Sequence, residues 1–419
     1  MEYIGDVVWL CAFAILSWRR AEYGALLLVA TTPAYLIRFS FGPLPVTFLE
    51  IEILLLASIV LVRHRHEIMR VLVFRERIEK ALAVSIACLL ISASVSVFIS
   101  PDLRAALGVW RAYFIEPIIF FTILLFVIKK PLQIWAMFGA LGVSGALIAL
   151  IALGQVFAGF PIPPPWDAEV RATSLYPYPN AVGLFLAPII PLVAAYAAKE
   201  QKMKRLGAIA LCILLIAGII AAKTIGALVA LGVAGLIGGA LWSTRSRQWT
   251  LRVLVSAILI ILVAPSIYTP IHKKLFFQEW SGTVRQITWS ETLPMLRDHW
   301  FTGVGLAGYQ KTFEAYHNVR AIEIFLYPHS IVLNFWSEMG LYGLASIIAL
   351  TVCYFILLRG MRDKEQRALK FGLAGAMVVL LVHGSVDVPY FKNDLALMWW
   401  VLFACALILY RYTKLEYEK

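Results

Sequence analysis

His329-Ser330 is followed, after nine residues, by Gly340-Leu341-Tyr342-Gly343, where a polar loop runs back into an apolar segment. An imidazole at such a boundary can accept a proton from a sugar hydroxyl near neutral pH, the help that a hydroxyl acceptor needs to become a nucleophile. The plainer reading of a single interfacial histidine is a hydrogen-bonded structural residue. Arg285 and Trp289 are four apart, hence on one helical face, and Arg297 continues the same segment. A guanidinium fork suits the oxygens of a phosphate or diphosphate, and an indole beside it suits a sugar face. The same pattern also fits an interfacial helix whose arginines turn to lipid headgroups.

Arg171 follows Asp167 and Glu169 and precedes Tyr176-Pro177-Tyr178-Pro179-Asn180. Prolines at the start of an apolar segment leave backbone groups free to meet a ligand or water, while the alternative is a helix N-terminus capped by Asn180. Asp387, in His383-Gly384-Ser385-Val386-Asp387, and Glu338 are acidic candidates that could instead be intramembrane pairing partners; Arg111 and Glu116 read as one such pair. Gly303-Val304-Gly305 and Gly308 permit a tight turn near a ligand, although the strand–turn–helix context of a phosphate loop is missing.

The scaffold that must position these groups is apolar. Of the 419 residues 61% are hydrophobic and 15% charged, and runs long enough to cross a bilayer recur throughout. The expected fold is an all-α polytopic membrane protein built as one helical bundle. Spans are placed near 5–17, 24–37, 46–62, 81–99, 105–128, 132–157, 179–197, 205–221, 224–241, 251–267, 331–358, 370–387 and 394–410, twelve or thirteen depending on the short first one. The first apolar run lacks a basic leader and a small-residue cleavage site, so insertion is expected through the protein's own spans.

Net charge is +12, but most Lys and Arg fall on alternate loops: Arg19-Arg20, Arg63 to Lys80, Lys129-Lys130, Lys199 to Arg205, Arg245 to Arg252, Arg359 to Lys370 and Arg411 to Lys419. By the positive-inside rule these are cytoplasmic, and the charge signals topology rather than nucleic-acid binding. The remaining long connections, about 157–179, 268–328 and 387–394, then lie outside. Pro161, Pro163, Pro164 and Pro165 stiffen the first, and the second is too long to be a mere connector, with Val284 to Arg297 reading as a surface helix. The expected organisation is therefore an N-terminal bundle over 1–267, an outer loop over 268–328 and C-terminal spans with a cytoplasmic tail over 329–419. Cys11, Cys88, Cys212, Cys353 and Cys405 are scattered in apolar runs with no metal-site spacing, so neither disulfides nor zinc are expected.

The order of these features resembles the O-antigen ligase and polymerase superfamily, membrane glycosyltransferases of the outer leaflet. The likeness is densest from Arg171 to Asp387. It is carried by Arg171 through Pro179-Asn180, by Arg285-x-x-x-Trp289 running into Asp298-His299-Trp300-Phe301-Thr302-Gly303-Val304-Gly305, and by His329-Ser330 with its two spaced glycines. One departure is Lys223-Thr224-Ile225-Gly226, where many members have Ser-Arg-Gly, so no role is carried to that site.

The resemblance implies a GT-C-like fold in the bacterial inner membrane, with the active site facing the periplasm and the C-terminus in the cytoplasm. It implies transfer of a glycan from an undecaprenyl diphosphate carrier to a hydroxyl without nucleotide sugar, metal or other cofactor. Arg171 and Arg285 would hold the diphosphate and His329 would deprotonate or orient the acceptor, with Arg297, Trp289, Asn180 and Asp387 in support. The partners implied are the lipid-linked donor, membrane lipids, and lipid A-core or another glycan as acceptor. His-Ser with Gly-x-x-Gly leans toward a ligase acting on lipid A-core. A repeat-unit polymerase and a protein O-oligosaccharyltransferase share the donor and stay open. A lipid-linked glycan transporter would instead show charged pairs at mid-membrane and broken helices in matched halves.

Overall fold

The computed structural model describes residues 4–41, 44–242, 248, 251–252, 278–361 and 366–417, and it is helical through most of its length. Helices are the required outcome for long apolar runs, because hydrocarbon offers backbone groups no partner outside the segment itself. In chain order they are α1 (Ile4–Arg19), α2 (Ala21–Ala30), α3 (Phe48–Val71), α4 (Arg77–Ile99), α5 (Leu103–Trp110), α6 (Glu116–Val127), α7 (Pro131–Phe157), α8 (Asn180–Lys199), α9 (Lys202–Ala221), α10 (Ile225–Trp242), α11 (Trp280–Asp298), α12 (Tyr309–Phe313), α13 (Ile331–Gly360), α14 (Arg367–Gly384) and α15 (Asn393–Tyr417). A small antiparallel hairpin, β1 (Arg38–Phe41) and β2 (Leu44–Thr47), precedes α3 with Arg38 opposite Thr47.

Among the described residues nine helical segments are long and apolar enough to cross a membrane: α4, α5 running into α6, α7 to α10, and α13 to α15. The chain is thus an all-α multi-pass membrane protein. The first three expected spans fall on α1, α2 with the 3-10 turn after it, and α3, which leaves helical geometry at His64. The expected span near 251–267 falls almost entirely outside the described residues. α15 is the innermost helix, with Trp399, Trp400 and Phe403 fully buried. Ile91, Leu147 and Ile213 point outward from α4, α7 and α9, as bilayer-facing positions should. Arg111 meets Glu116 at 3.2 Å, as expected, and also Glu50 at 2.9 Å, so one guanidinium joins α3 to the α5–α6 segment.

α13 is broken near its start. Gly340 has φ +65°, and a Cβ there would lie 2.1 Å from the carbonyl oxygen of Phe301; Gly303, at φ +67°, abuts the Gly340 amide in turn. The sequence reads the 303–305 turn as one that can sit near a ligand. Instead a loop enters the break: the Val304 amide donates to the Ser337 carbonyl at 2.7 Å, and the Leu341 amide donates to Phe301. The segment from α11 to His329 is thereby fastened to α13. Nor does α11 merely lie on the surface, since Val284, Thr288, Thr292 and Met295 form a buried face, with Met295 in a small core of Val304, Tyr309 and Phe313.

Candidate active site

His329 stands just before α13, whose first residue is Ile331 and whose N-cap is Ser330. It therefore lies outside the helix, and its own backbone is in the left-handed region at φ +49°. Such a conformation costs a non-glycine residue about 1–3 kcal/mol and persists only where surrounding contacts impose it. Here the imidazole is packed edge-on by Phe325 and Tyr327, with ring centroids 4.8 and 5.6 Å away. Its Nδ1 faces Asp387 Oδ1 at 3.7 Å, an electrostatic contact too long for a hydrogen bond.

Asp387 is buried in the loop between α14 and α15. Burial alone would raise its carboxyl, but the neighbouring His329, the charge of His383 and the Val388 amide outweigh that and hold it down at about 2. The carboxylate also receives a bond from Asn180 Nδ2 at 3.2 Å. Pro179, not Asn180, occupies the N-cap of α8, which frees the Asn180 side chain to reach across 207 residues of sequence. Asn180 Oδ1 in turn faces Arg171 Nη2 at 3.5 Å. Arg171 stacks its guanidinium over Trp166 at 5.1 Å, and its buried Nε has no hydrogen-bond partner.

Arg285 and Trp289 approach from α11 and, one turn apart, grip the two loops that carry Asp387 and His329. Arg285 Nε donates to the Val386 carbonyl at 2.8 Å, beside Asp387. Trp289 Nε1 donates to the Pro328 carbonyl at 2.8 Å, beside His329. Arg297 is not brought to this cluster: it is exposed in the last turn of α11, roughly 18 Å along the axis from Arg285 at 1.5 Å per residue. Glu338 is buried elsewhere, accepting the Ala307 amide at 3.2 Å, which is the pairing role left open for it. Lys223 donates to the Glu169 carbonyl and Thr224 to the Pro179 carbonyl, so that departure from the family pattern braces the Arg171 loop and the start of α8.

A neighbouring cluster escaped the sequence reading. Lys392 places its ammonium 3.6 Å from the centre of the Tyr176 ring, with Tyr35 and Tyr178 at 5.7 Å and the Asp394 carboxylate at 3.6 Å. Tyr176 donates to Asp394 at 2.9 Å, and Tyr178 shares a 3.0 Å hydroxyl contact with Tyr327, the ring beside His329. Burial lowers the Lys392 pKa against the pull of Asp394 and raises those of Tyr178 and Tyr327. The signal available in sequence was a Lys-Asn-Asp start to an apolar run directly after Pro389-Tyr390-Phe391.

The assembled groups comprise a proton acceptor beside a fixed carboxylate, two arginines on either side of that carboxylate's loop, and an aromatic wall. Such a set can hold an anionic leaving group and accept a proton from an approaching hydroxyl. No curated protein matches the chain. Residues 210–348, which hold Arg285, Trp289, Arg297 and His329 but not Arg171, Asn180 or Asp387, match a family model described as O-antigen ligase. That match supports the place of this multi-pass membrane protein in the O-antigen ligase and polymerase superfamily.

Proposed function

We propose that the chain is an O-antigen ligase that transfers a glycan from undecaprenyl diphosphate to a sugar hydroxyl of lipid A-core, in a GT-C-like bundle at the outer face of the inner membrane. The observation that carries the reading is the convergence on Asp387 of groups remote in sequence: His329, Asn180 with Arg171, and Arg285 through Val386. In the reaction the acceptor oxygen bonds to the anomeric carbon of the donor glycan as the bond from that carbon to the diphosphate oxygen breaks. His329 takes the hydroxyl proton. Asp387, ionised at every working pH, stabilises the imidazolium that forms. Arg171 and Arg285 meet the charge that gathers on the departing lipid diphosphate, and because both are held before the substrate arrives, little reorganisation is needed during transfer. Trp289 keeps the His329 loop in register through Pro328 and offers its ring to a sugar face. Arg297 is assigned no part in the chemistry.

The test is transfer by purified protein from an undecaprenyl diphosphate-glycan, offered separately lipid A-core and a second carrier-linked repeat. The ligase reading predicts product on lipid A-core alone. A ladder of longer carrier-linked glycans would replace it with a polymerase, and no transfer to either acceptor would remove it.

A further inference from the structure

A polar cleft lies toward the other end of the bundle. α15 begins beside Lys392, and roughly 28 Å farther along it, at 1.5 Å per residue, Arg411 pairs with Glu79 at 2.6 Å and donates to the Val71 carbonyl. Near that far end α1, α2, α3 and α6 enclose an open cleft of about 320 Å³. Arg19, Arg20 and Arg63 line it, and among the described residues none of the three is ion-paired. The one carboxylate in the wall, Glu22, accepts from the neutral Gln133 amide at 2.7 Å, so three guanidinium groups face a single carboxylate and the cleft keeps a net positive charge.

Two further observations point to a ligand rather than to a stretch of loop charge. α2 starts at the same place with no side chain capping its first turn, so the positive end of the helix also faces the cleft. Finally, the guanidinium of Arg63 is held over the Trp18 ring at 5.2 Å, and α3 bends at His64, whose ring packs 5.0 Å from Phe126 across the cleft. A charge fixed by an aromatic face is better suited to a defined ligand than one on a free surface chain.

We propose that this cleft binds a phosphate group, either the headgroup phosphate of an anionic membrane lipid or free phosphate, with Arg19, Arg20 and Arg63 neutralising its charge. The site is separate from the one built on His329, and its test does not depend on glycan transfer. Full-length protein in nonionic detergent is offered phosphatidylglycerol, phosphatidylcholine and inorganic phosphate as separate probes, with bound lipid read by native mass spectrometry and bound phosphate by calorimetry. Phosphatidylglycerol should bind in preference to phosphatidylcholine. An R20Q/R63Q double variant should weaken it by about tenfold or more, the equivalent of one charge-assisted hydrogen bond. R19Q removes one exposed charge from the cleft without touching the packed core and so guards against misfolding in the double variant; it should weaken binding about threefold to tenfold. Inorganic phosphate bound with the same sensitivity to these variants, without lipid preference, would assign the site to a soluble phosphate. Equal binding of the two lipids with no variant-sensitive phosphate binding, or binding unchanged in both variants, would overturn the proposal.

Discussion

His317 and His329 both belong to the segment between α11 and α13, and both face a carboxylate, yet their surroundings differ in almost every respect. His317 Nδ1 lies 2.7 Å from Glu291 and its Nε2 2.8 Å from the Ile322 carbonyl, while the second oxygen of Glu291 accepts the amides of Asn318 and Val319. Every polar atom of that pair is committed to the fold. His329 sits 3.7 Å from its carboxylate, its Nδ1 has no hydrogen-bond partner, its backbone is left-handed, and its side chain keeps 19% of its surface. A saturated histidine holds a loop together. An under-bonded one, held in a costly conformation and still open to solvent, is arranged to bond something that comes and goes.

The largest expected effect separates the two directly. H329A should lower transfer by about 10³-fold or more, within the range of a lost general base, while the melting temperature in detergent moves little. H317A should do the reverse: two satisfied bonds go and Glu291 is stranded, so about 1–3 kcal/mol of stability should be lost while the protein that remains folded keeps most of its turnover. If both variants lost activity in proportion to folded protein alone, the contrast between the pairs would be void.

Arg285 comes next, because its Nε anchors the Val386 carbonyl beside Asp387 and its fork is the group proposed to meet the diphosphate. R285K keeps the charge but loses the fork, and about a 10- to 100-fold drop in kcat/KM is expected from the loss of one charge-assisted contact. Near-normal kinetics would mean that a point charge suffices there. Asp387 sharpens the comparison through pH. Its folded pKa of about 2 lies below the ordinary 3.8, so its contribution to stability is fully present above the ordinary value and is lost as pH falls through 2. Melting curves of wild type and D387N should therefore run parallel from pH 5 to 8 and converge below about pH 4. Curves that stay parallel down to pH 2 would show that the carboxylate is not stabilised as described. R297A is the smallest effect, less than about threefold on transfer, since the residue is exposed on the far turn of α11.

The i, i+4 spacing of Arg285 and Trp289 was enough to put both on the face that meets the site, because helical periodicity is local and rigid. The same local reasoning could not tell that Arg297, farther along that helix, would be left behind. Asn180 is the reverse case: its sequence neighbours suggest a cap, but its side chain is taken by Asp387, a contact no local pattern encodes. Gly340 marks a close approach without naming its partner, since a missing Cβ admits a loop as readily as a helix. Lys392 was passed over because a lysine at the start of an apolar run reads as a topology signal. Its aromatic box is assembled from Tyr35, Tyr176 and Tyr178, which only the folded bundle brings together.

The most direct test of the central claim measures donor binding and turnover separately in H329A. If His329 serves the acceptor proton and the arginines serve the diphosphate, the variant should bind undecaprenyl diphosphate-glycan with the wild-type Kd and transfer almost none of it to lipid A-core. Transfer at the wild-type rate would contradict the account outright, and loss of donor binding in step with turnover would move His329 from the acceptor side to the donor side.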